Sequence, residues 1–235
     1  SHDFAAAKYD SKGNQVGKIE VVDSQDKTSV QDFAEAAYDA RGNQIGKIKF
    51  IDSEGNEVIQ DFSEAKYDDK NNQVGFIKII DGKKIIRNDF NQAKFDENGH
   101  QVGVVRSASE GSNPIVEDFK GAKYDAKGNQ KGKVKITDAA GKVSLLDFVA
   151  AKYDKQGHQV GLIKLIDLEN KTVTLDFAGA KYDSAGNQLG RIKILSSDGA
   201  AIWDLAEAKY DDHNNQIGRV GILSEDGRAV VLKNF

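Results

Sequence analysis

The sequence predicts an all-β fold: eight tandem three-stranded units of about 29 residues, joined into one continuous antiparallel repeat array. Three observations carry this. An Asp-Phe marker recurs at a nearly fixed step. Each repeat holds two turn signals rich in Asp, Gly and Asn. Between the turns, apolar and polar residues alternate with the period of a half-buried strand.

The marker stands at Asp3-Phe4, Asp32-Phe33, Asp61-Phe62, Asp89-Phe90, Asp118-Phe119, Asp147-Phe148 and Asp176-Phe177. It becomes Asp204-Leu205 in the eighth repeat, and Asn234-Phe235 ends the sequence. Its steps of 28 to 30 residues signal a solenoid, propeller or array. No linker or composition shift intervenes. Residues 1–235 therefore read as one tandem-repeat domain, with repeats starting near residues 3, 32, 61, 89, 118, 147, 176 and 204. A closed propeller-like ring is the alternative. Propeller blades usually have four strands and about 40 residues or more, so the short period favours the open array.

Within a repeat, D-F-x-x-A comes first. Phe and Ala three apart suit one helical turn capped by Asp, and Asp32 with Glu35 and Asp61 with Glu64 have capping-box spacing. A bulge or corner between strands is the competing reading. A short strand follows, as at Lys152-Tyr153-Asp154. The first turn, Y-D-x-x-G-N, places only Gly or Asn at its fourth position after Tyr: Gly13, Gly42, Asn71, Gly99, Gly128, Gly157, Gly186 and Asn214. These residues tolerate a left-handed backbone, as a type I turn with a bulge requires.

The longest strand comes next. In residues 44–51, Gln44, Gly46, Ile48 and Phe50 share one face and Ile45, Lys47, Lys49 and Ile51 the other. The second turn is D-x-x-G-K, as at Asp138 to Lys142. It loosens at Asp26 and Asn170 and loses a residue at Asp81-Gly82-Lys83. A third strand, such as Val143 to Leu146, leads to the next marker. The fourth repeat differs. It has Phe95 in place of Tyr, and Ser107 to Pro114, with the sole proline, reads as a longer surface loop.

Composition narrows the function. Charged residues make up 30% and hydrophobic ones 39%, a polar balance that fits a thin array better than a globule. The net charge of −4 provides no field for nucleic acid, and no apolar run is long enough for a transmembrane helix. The absence of cysteine excludes disulfides, thiolate metal sites and thiol nucleophiles. The absence of methionine, initiator included, predicts a processed or excised piece.

Tyr124-Asp125 with Gly128-Asn129, followed by Asp138 with Gly141-Lys142, resembles the tyrosine–aspartate (YD) repeats of bacterial surface and toxin-delivery proteins. The resemblance covers about half of each repeat. It implies an extracellular β-hairpin array forming a shell, stalk or spiral sheet. D-F-x-x-A and Q-x-G are not part of the YD pattern, and the repeat here is longer.

The candidate site is a glutamine column: Gln15, Gln44, Gln73, Gln101, Gln130, Gln159, Gln188 and Gln216, each followed two residues later by Gly. One reading is structural: the amide bonds a turn backbone while the Gly makes room for a Phe or Tyr ring. The other is a sugar-binding notch of amide and aromatic ring. Two lysine series would also align, one before Tyr (Lys8, Lys66, Lys94, Lys123, Lys152, Lys181, Lys209) and one in the long strand (Lys49, Lys78, Lys135, Lys164, Lys193). They read either as a solvated face neutralised by carboxylates or as a stripe for anionic polysaccharide.

Turn oxygens are too few for calcium, which takes six to eight. His100, His158 and His213 read as solvent-exposed turn residues. No catalytic residue set, metal site or cofactor loop is visible. The expectation is a non-enzymatic structural or adhesive module of a bacterial cell-surface or secreted protein. Its expected place is extracellular, and its expected partners are glycans or another surface protein. A multivalent carbohydrate-binding module and a shell fragment of a toxin-delivery protein are the alternatives.

Overall fold

The computed structural model describes residues 2–3, 7–22, 27–211 and 216–234. The sequence features at Phe4, Asp26, His213, Asn214 and Phe235 lie outside the described residues. Every regular element among those described is a strand. The chain divides into two compact units, Ser1–Glu117 with Asp138–Ala140, and Asp118–Thr137 with Gly141–Phe235.

The first unit carries β1 (His2–Asp3), β2 (Lys18–Val22), β3 (Thr28–Asp32), β4 (Lys47–Ile51) and β5 (Glu57–Asp61). It continues with β6 (Phe76–Asp81), β7 (Lys84–Asp89), β8 (Val104–Ser109) and β9 (Ile115–Asp118), whose last residue falls in the second unit. From β1 to β8 each strand pairs antiparallel with the next. The second unit holds β10 (Lys133–Thr137), β11 (Val143–Asp147), β12 (Leu162–Asp167), β13 (Thr172–Asp176) and β14 (Ala180–Tyr182). It ends with β15 (Gln188–Ser196), β16 (Gly199–Leu205), β17 (Ala208–Tyr210), β18 (Gln216–Ser224) and β19 (Ala229–Asn234). Its ladder runs β10 to β13, then β15, β16, β18 and β19. Short β14 and β17 lie along the starts of β15 and β18. The fold is thus an all-β antiparallel repeat array, and neither unit's ladder closes on its own first strand among the described residues.

Both turn signals fold by one device. In the first turn, Asp39 Oδ1 accepts from the backbone N–H of Arg41 (2.8 Å) and Asn43 (2.9 Å), while Oδ2 accepts from the Asn43 amide at 2.9 Å. The second turn repeats this around Asp52, Glu54 and Asn56. The left-handed position is Gly42 (φ 85°) or Gly55 (φ 85°), and Asn fills it as Asn71 (φ 66°) and Asn170 (φ 58°). Where a residue is lost, Gly82 (φ 55°) opens a two-residue hairpin between β6 and β7.

D-F-x-x-A is not helical. Phe33 C=O accepts from Ala36 N–H at 2.9 Å, and Asp32 Oδ1 accepts from Ala34 N–H at 2.9 Å, giving a single β-turn. The capping-box expectation fails for the same reason: there is no helix to cap. The Glu64 carboxylate pairs with Lys78 and with Arg87 instead. The β-turn hands the chain to the short strand, which shrinks to a single bridge such as Tyr38↔Gln44 in six repeats. It widens to three residues only as β14 and β17.

The long strand is correspondingly shorter than expected in the early repeats, since β4 starts after Gly46. In the fourth repeat β8 runs on to Ser109, so the loop contracts to residues 110–114. The core is thin. Its buried apolar residues are small or medium, such as Ala93, Val104, Ala122, Val134, Ala151 and Ile192, and no large side chain is fully enclosed among the described residues. The alanines are those of D-F-x-x-A, where the β-turn closes on the strand.

Candidate functional site

In each hairpin the tyrosine, or Phe95 in the fourth, faces the glutamine. Asp39 N–H donates to Asn43 C=O at 3.0 Å and Ile45 N–H to Ala37 C=O at 2.8 Å, flanking the Tyr38–Gln44 pair. That pair is therefore of the non-hydrogen-bonded type, and the backbone C=O of Gln44 points out of its own hairpin. The next repeat meets it. Tyr67 Oη donates to Gln44 O at 2.6 Å. The same bond joins Tyr38 to Gln15 (2.7 Å), Tyr153 to Gln130 (2.6 Å), Tyr182 to Gln159 (2.7 Å) and Tyr210 to Gln188 (2.9 Å). Burial raises the pKa of the Tyr38, Tyr67, Tyr153 and Tyr182 hydroxyls above the ordinary phenol value. The turn carboxylate of the preceding repeat adds to the rise, as Asp10 does for Tyr38. Both effects keep the donor protonated.

The glutamine side chains point into the structure. Nε2 of Gln15, Gln44, Gln73, Gln130, Gln159, Gln188 and Gln216 is buried without an acceptor, and that of Gln101 is buried as well. The expected bond from the amide to a turn backbone is not formed in those seven. In Gln15, Gln44, Gln130, Gln159 and Gln188 the backbone carbonyl makes the inter-repeat bond instead.

The glycine two residues on makes room for backbone, not for a ring. A Cβ on Gly46 would stand 2.2 Å from Ala37 N and 2.5 Å from Glu35 O, in the leg of the same hairpin. Lys47 N–H donates to Glu35 C=O at 2.9 Å across this approach.

The turn tips couple neighbouring repeats too. Arg41 donates to Asp68 O (2.7 Å) and Tyr67 O (3.3 Å), Lys70 to Glu97 O (3.2 Å) and Lys127 to Lys155 O (3.1 Å). Asn43 Nδ2 donates to Asn71 Oδ1 at 3.1 Å. His100 and His158 replace the turn Asn, and each Nδ1 lies 2.9 Å from its turn carboxylate, Asp96 or Asp154. They are half-buried rather than solvent-exposed, and His158 stacks on Tyr182 with centroids 4.4 Å apart. Sequence reasoning missed the tyrosine hydroxyl and the turn cation as couplers. The signal was present in the recurrence of Tyr at one position and of Lys or Arg directly before the turn Gly or Asn, as at Arg41-Gly42, Lys70-Asn71 and Lys127-Gly128.

The two lysine series separate. Lys49, Lys78, Lys164 and Lys193 lie directly across from the marker carboxylates Asp32, Asp61, Asp147 and Asp176. From the other side those carboxylates meet the first strand residue, as in Lys18–Asp32 (3.1 Å), Lys47–Asp61 (3.9 Å) and Lys133–Asp147 (3.2 Å), and Arg191 within β15 meets the eighth repeat's Asp204 at 3.0 Å. This face is a neutralised ladder. The series before Tyr is different. Lys8, Lys66, Lys94, Lys123, Lys152, Lys181 and Lys209 are exposed, and none is ion-paired among the described residues.

Shallow grooves beside the β-turns mix both charges, for example Asp32, Glu35, Lys47 and Lys49 around Ile59. No group of three or more metal-ligating side chains occurs among the described residues, and no helix there is long and apolar enough to cross a membrane. Compared with known families and with curated proteins, the sequence matches no family model and no curated protein.

Proposed function

We propose that this chain is a structural, adhesive β-repeat module of a bacterial cell-surface or secreted protein, acting outside the cell by holding a fixed form under load. The reading is supported by where the recurring polar residues are used. Tyrosine hydroxyls, glutamine carbonyls and turn cations join repeat to repeat, and marker carboxylates join strand to strand. In a quasi-one-dimensional array, stability is the sum of such nearest-neighbour terms. Pulling the full chain from its two ends tests this. Unfolding is expected in force peaks spaced by whole repeats, and smooth extension without peaks overturns it.

A second reading, multivalent glycan binding, draws its support from the unpaired lysine column rather than from the glutamines. Weak sites repeated along one face gain by avidity. This reading expects retention on an acidic polysaccharide resin with loss at moderate salt, because exposed charges are screened. Flow-through at low salt removes it.

A further inference from the structure

We propose that the fifth repeat holds a binding site for a tetrahedral oxyanion, a phosphate or sulfate group, held by Lys123, Lys131 and Lys133. The repeats differ sharply in charge. Residues 118–146 carry seven lysines, three aspartates and no glutamate or arginine, a formal charge of +4 in a chain of −4. The other seven repeats run from −3 to +1.

Two departures from the repeat pattern concentrate this charge at one place. Lys131 stands where the other seven repeats have an aliphatic residue, from Val16 to Ile217. Gly121 stands where Glu35, Glu64 and Glu207 bring a carboxylate. The hairpin register sets Lys131 directly opposite Lys123, because Tyr124 bridges to Gln130 and Lys131 N–H donates to Lys123 C=O at 2.7 Å. Like charges directly opposite each other destabilise a sheet. Lys133, two residues on, falls on the same face by alternation.

The three lysines line one groove of about 430 Å³ with Gly121, Gly132 and Val149, all within the second unit. No carboxylate and no aromatic ring lines it among the described residues. The corresponding groove of the second repeat sets Asp32 and Glu35 beside Lys47 and Lys49. Lys123 is exposed and unpaired. Lys131 uses one of its three donors on Ala151 C=O and lies 5.7 Å from the Tyr153 ring centroid, which fixes its head beside the sixth repeat. Lys133 bonds Asp147 at 3.2 Å, and Asp147 also has Lys164 directly across the ladder. Donors on all three lysines therefore remain for a ligand.

The donor set names the ligand chemistry. Ammonium groups are point charges without the planar fork by which arginine matches a carboxylate. Three of them around one groove suit an anion whose oxygens point in several directions, as those of phosphate and sulfate do. Nucleic acid is disfavoured, since bases would find no ring to stack on. A bound anion also offsets the Lys123–Lys131 repulsion, so binding stabilises the fold.

Melting curves in inorganic phosphate, with ionic strength held constant by chloride, test the site. The full chain is expected to gain about 3–6 °C when phosphate reaches ten times its dissociation constant. Phosphate also stabilises proteins by exclusion from their surface, an effect common to all variants. The readout is therefore the difference between the parent and Lys123→Gln or Lys131→Val, in which most of the gain is expected to vanish. Lys181→Gln removes a lysine of the same exposed series, opposite Leu189, and is expected to keep the full gain. No gain in the parent, or equal gains in all four proteins, overturns the proposal. An equal loss in Lys181→Gln overturns it too and returns the binding to the whole lysine series, as the glycan reading has it. Dextran sulfate separates two sources of the group. A stronger response per sulfate than to the free ion places the group on a polymer, an equal one on a free ion, and both keep the site.

Discussion

The Tyr67 hydroxyl donates to the Gln44 backbone carbonyl at 2.6 Å, and this bond crosses from one repeat to the one before it. Removing the hydroxyl leaves a partly buried carbonyl without its donor. Tyr67→Phe is expected to lower stability by about 1–3 kcal/mol. Repeat 4 offers the converse, because Phe95 holds this position and Gln73 lacks the donor. Phe95→Tyr is expected to add about 0.5–1.5 kcal/mol. Urea midpoints at unchanged slope read both. Equal stability of Tyr67→Phe and the parent protein defeats the coupling role.

Two glycines of one repeat should respond oppositely to substitution. A Cβ on Gly161 would stand 2.3 Å from Lys152 N, and backbone does not give way as a flexible side-chain tip does. Gly161→Ala is expected to cost about 3 kcal/mol or more. Gly157, at φ 94°, needs only a left-handed residue, and repeat 3 has Asn71 there at φ 66°. Gly157→Asn is expected to change stability by less than about 1 kcal/mol. Thermal melts of the pair distinguish close approach from φ.

Stability should fall at both ends of the pH scale. The Asn43 side-chain amide, then its backbone N–H, hold the Asp39 carboxyl below its ordinary value, and Asp52, Asp68 and Asp183 follow the same pattern. A depressed folded pKa gives stability that is full above the unfolded value, about 3.9, and lost as pH falls through the folded one. The tyrosines run the other way. Their raised values give stability that is full below about pH 10 and lost as pH rises through the folded pKa. A melting temperature flat from about pH 5 to 9 and falling on both sides is expected. An acid limb without an alkaline one contradicts the tyrosine role.

Much of the architecture was legible in the sequence, because turns are local. Asp, Gly and Asn at fixed offsets specify the bracket around Asp39 or Asp52 without help from elsewhere in the chain. D-F-x-x-A leaves a helical turn and a corner between strands both open, because Phe and Ala three apart suit either. The outcome was decided by a non-local bond, Phe33 N–H to Gly17 C=O, which ties the marker to the strand before it. The roles within the Gln column were hidden for a similar reason. Sequence shows a side chain, whereas the inter-repeat contact uses the backbone carbonyl of that residue and a hydroxyl 23 positions on. The lysines split into paired and unpaired series only once the register set Asp147 opposite Lys164.

The last prediction concerns the glutamine amide itself. Nε2 of Gln159 is buried with no acceptor, and an unsatisfied buried donor costs about 1–3 kcal/mol. Methionine has similar length and no donor, and its backbone carbonyl still accepts from Tyr182. Gln159→Met is therefore expected to leave stability unchanged or to raise it by about 1 kcal/mol, some of the gain being offset by imperfect packing. Urea unfolding reads the difference. A loss beyond about 1 kcal/mol would mean that the amide nitrogen has an acceptor, with an ordered water as the first candidate, since buried polar groups are commonly satisfied that way. A stable variant would remove folding as the reason for the side chain at this position. Binding of the same variant to glycans, compared with the parent chain, would then decide between a silent amide and a used one.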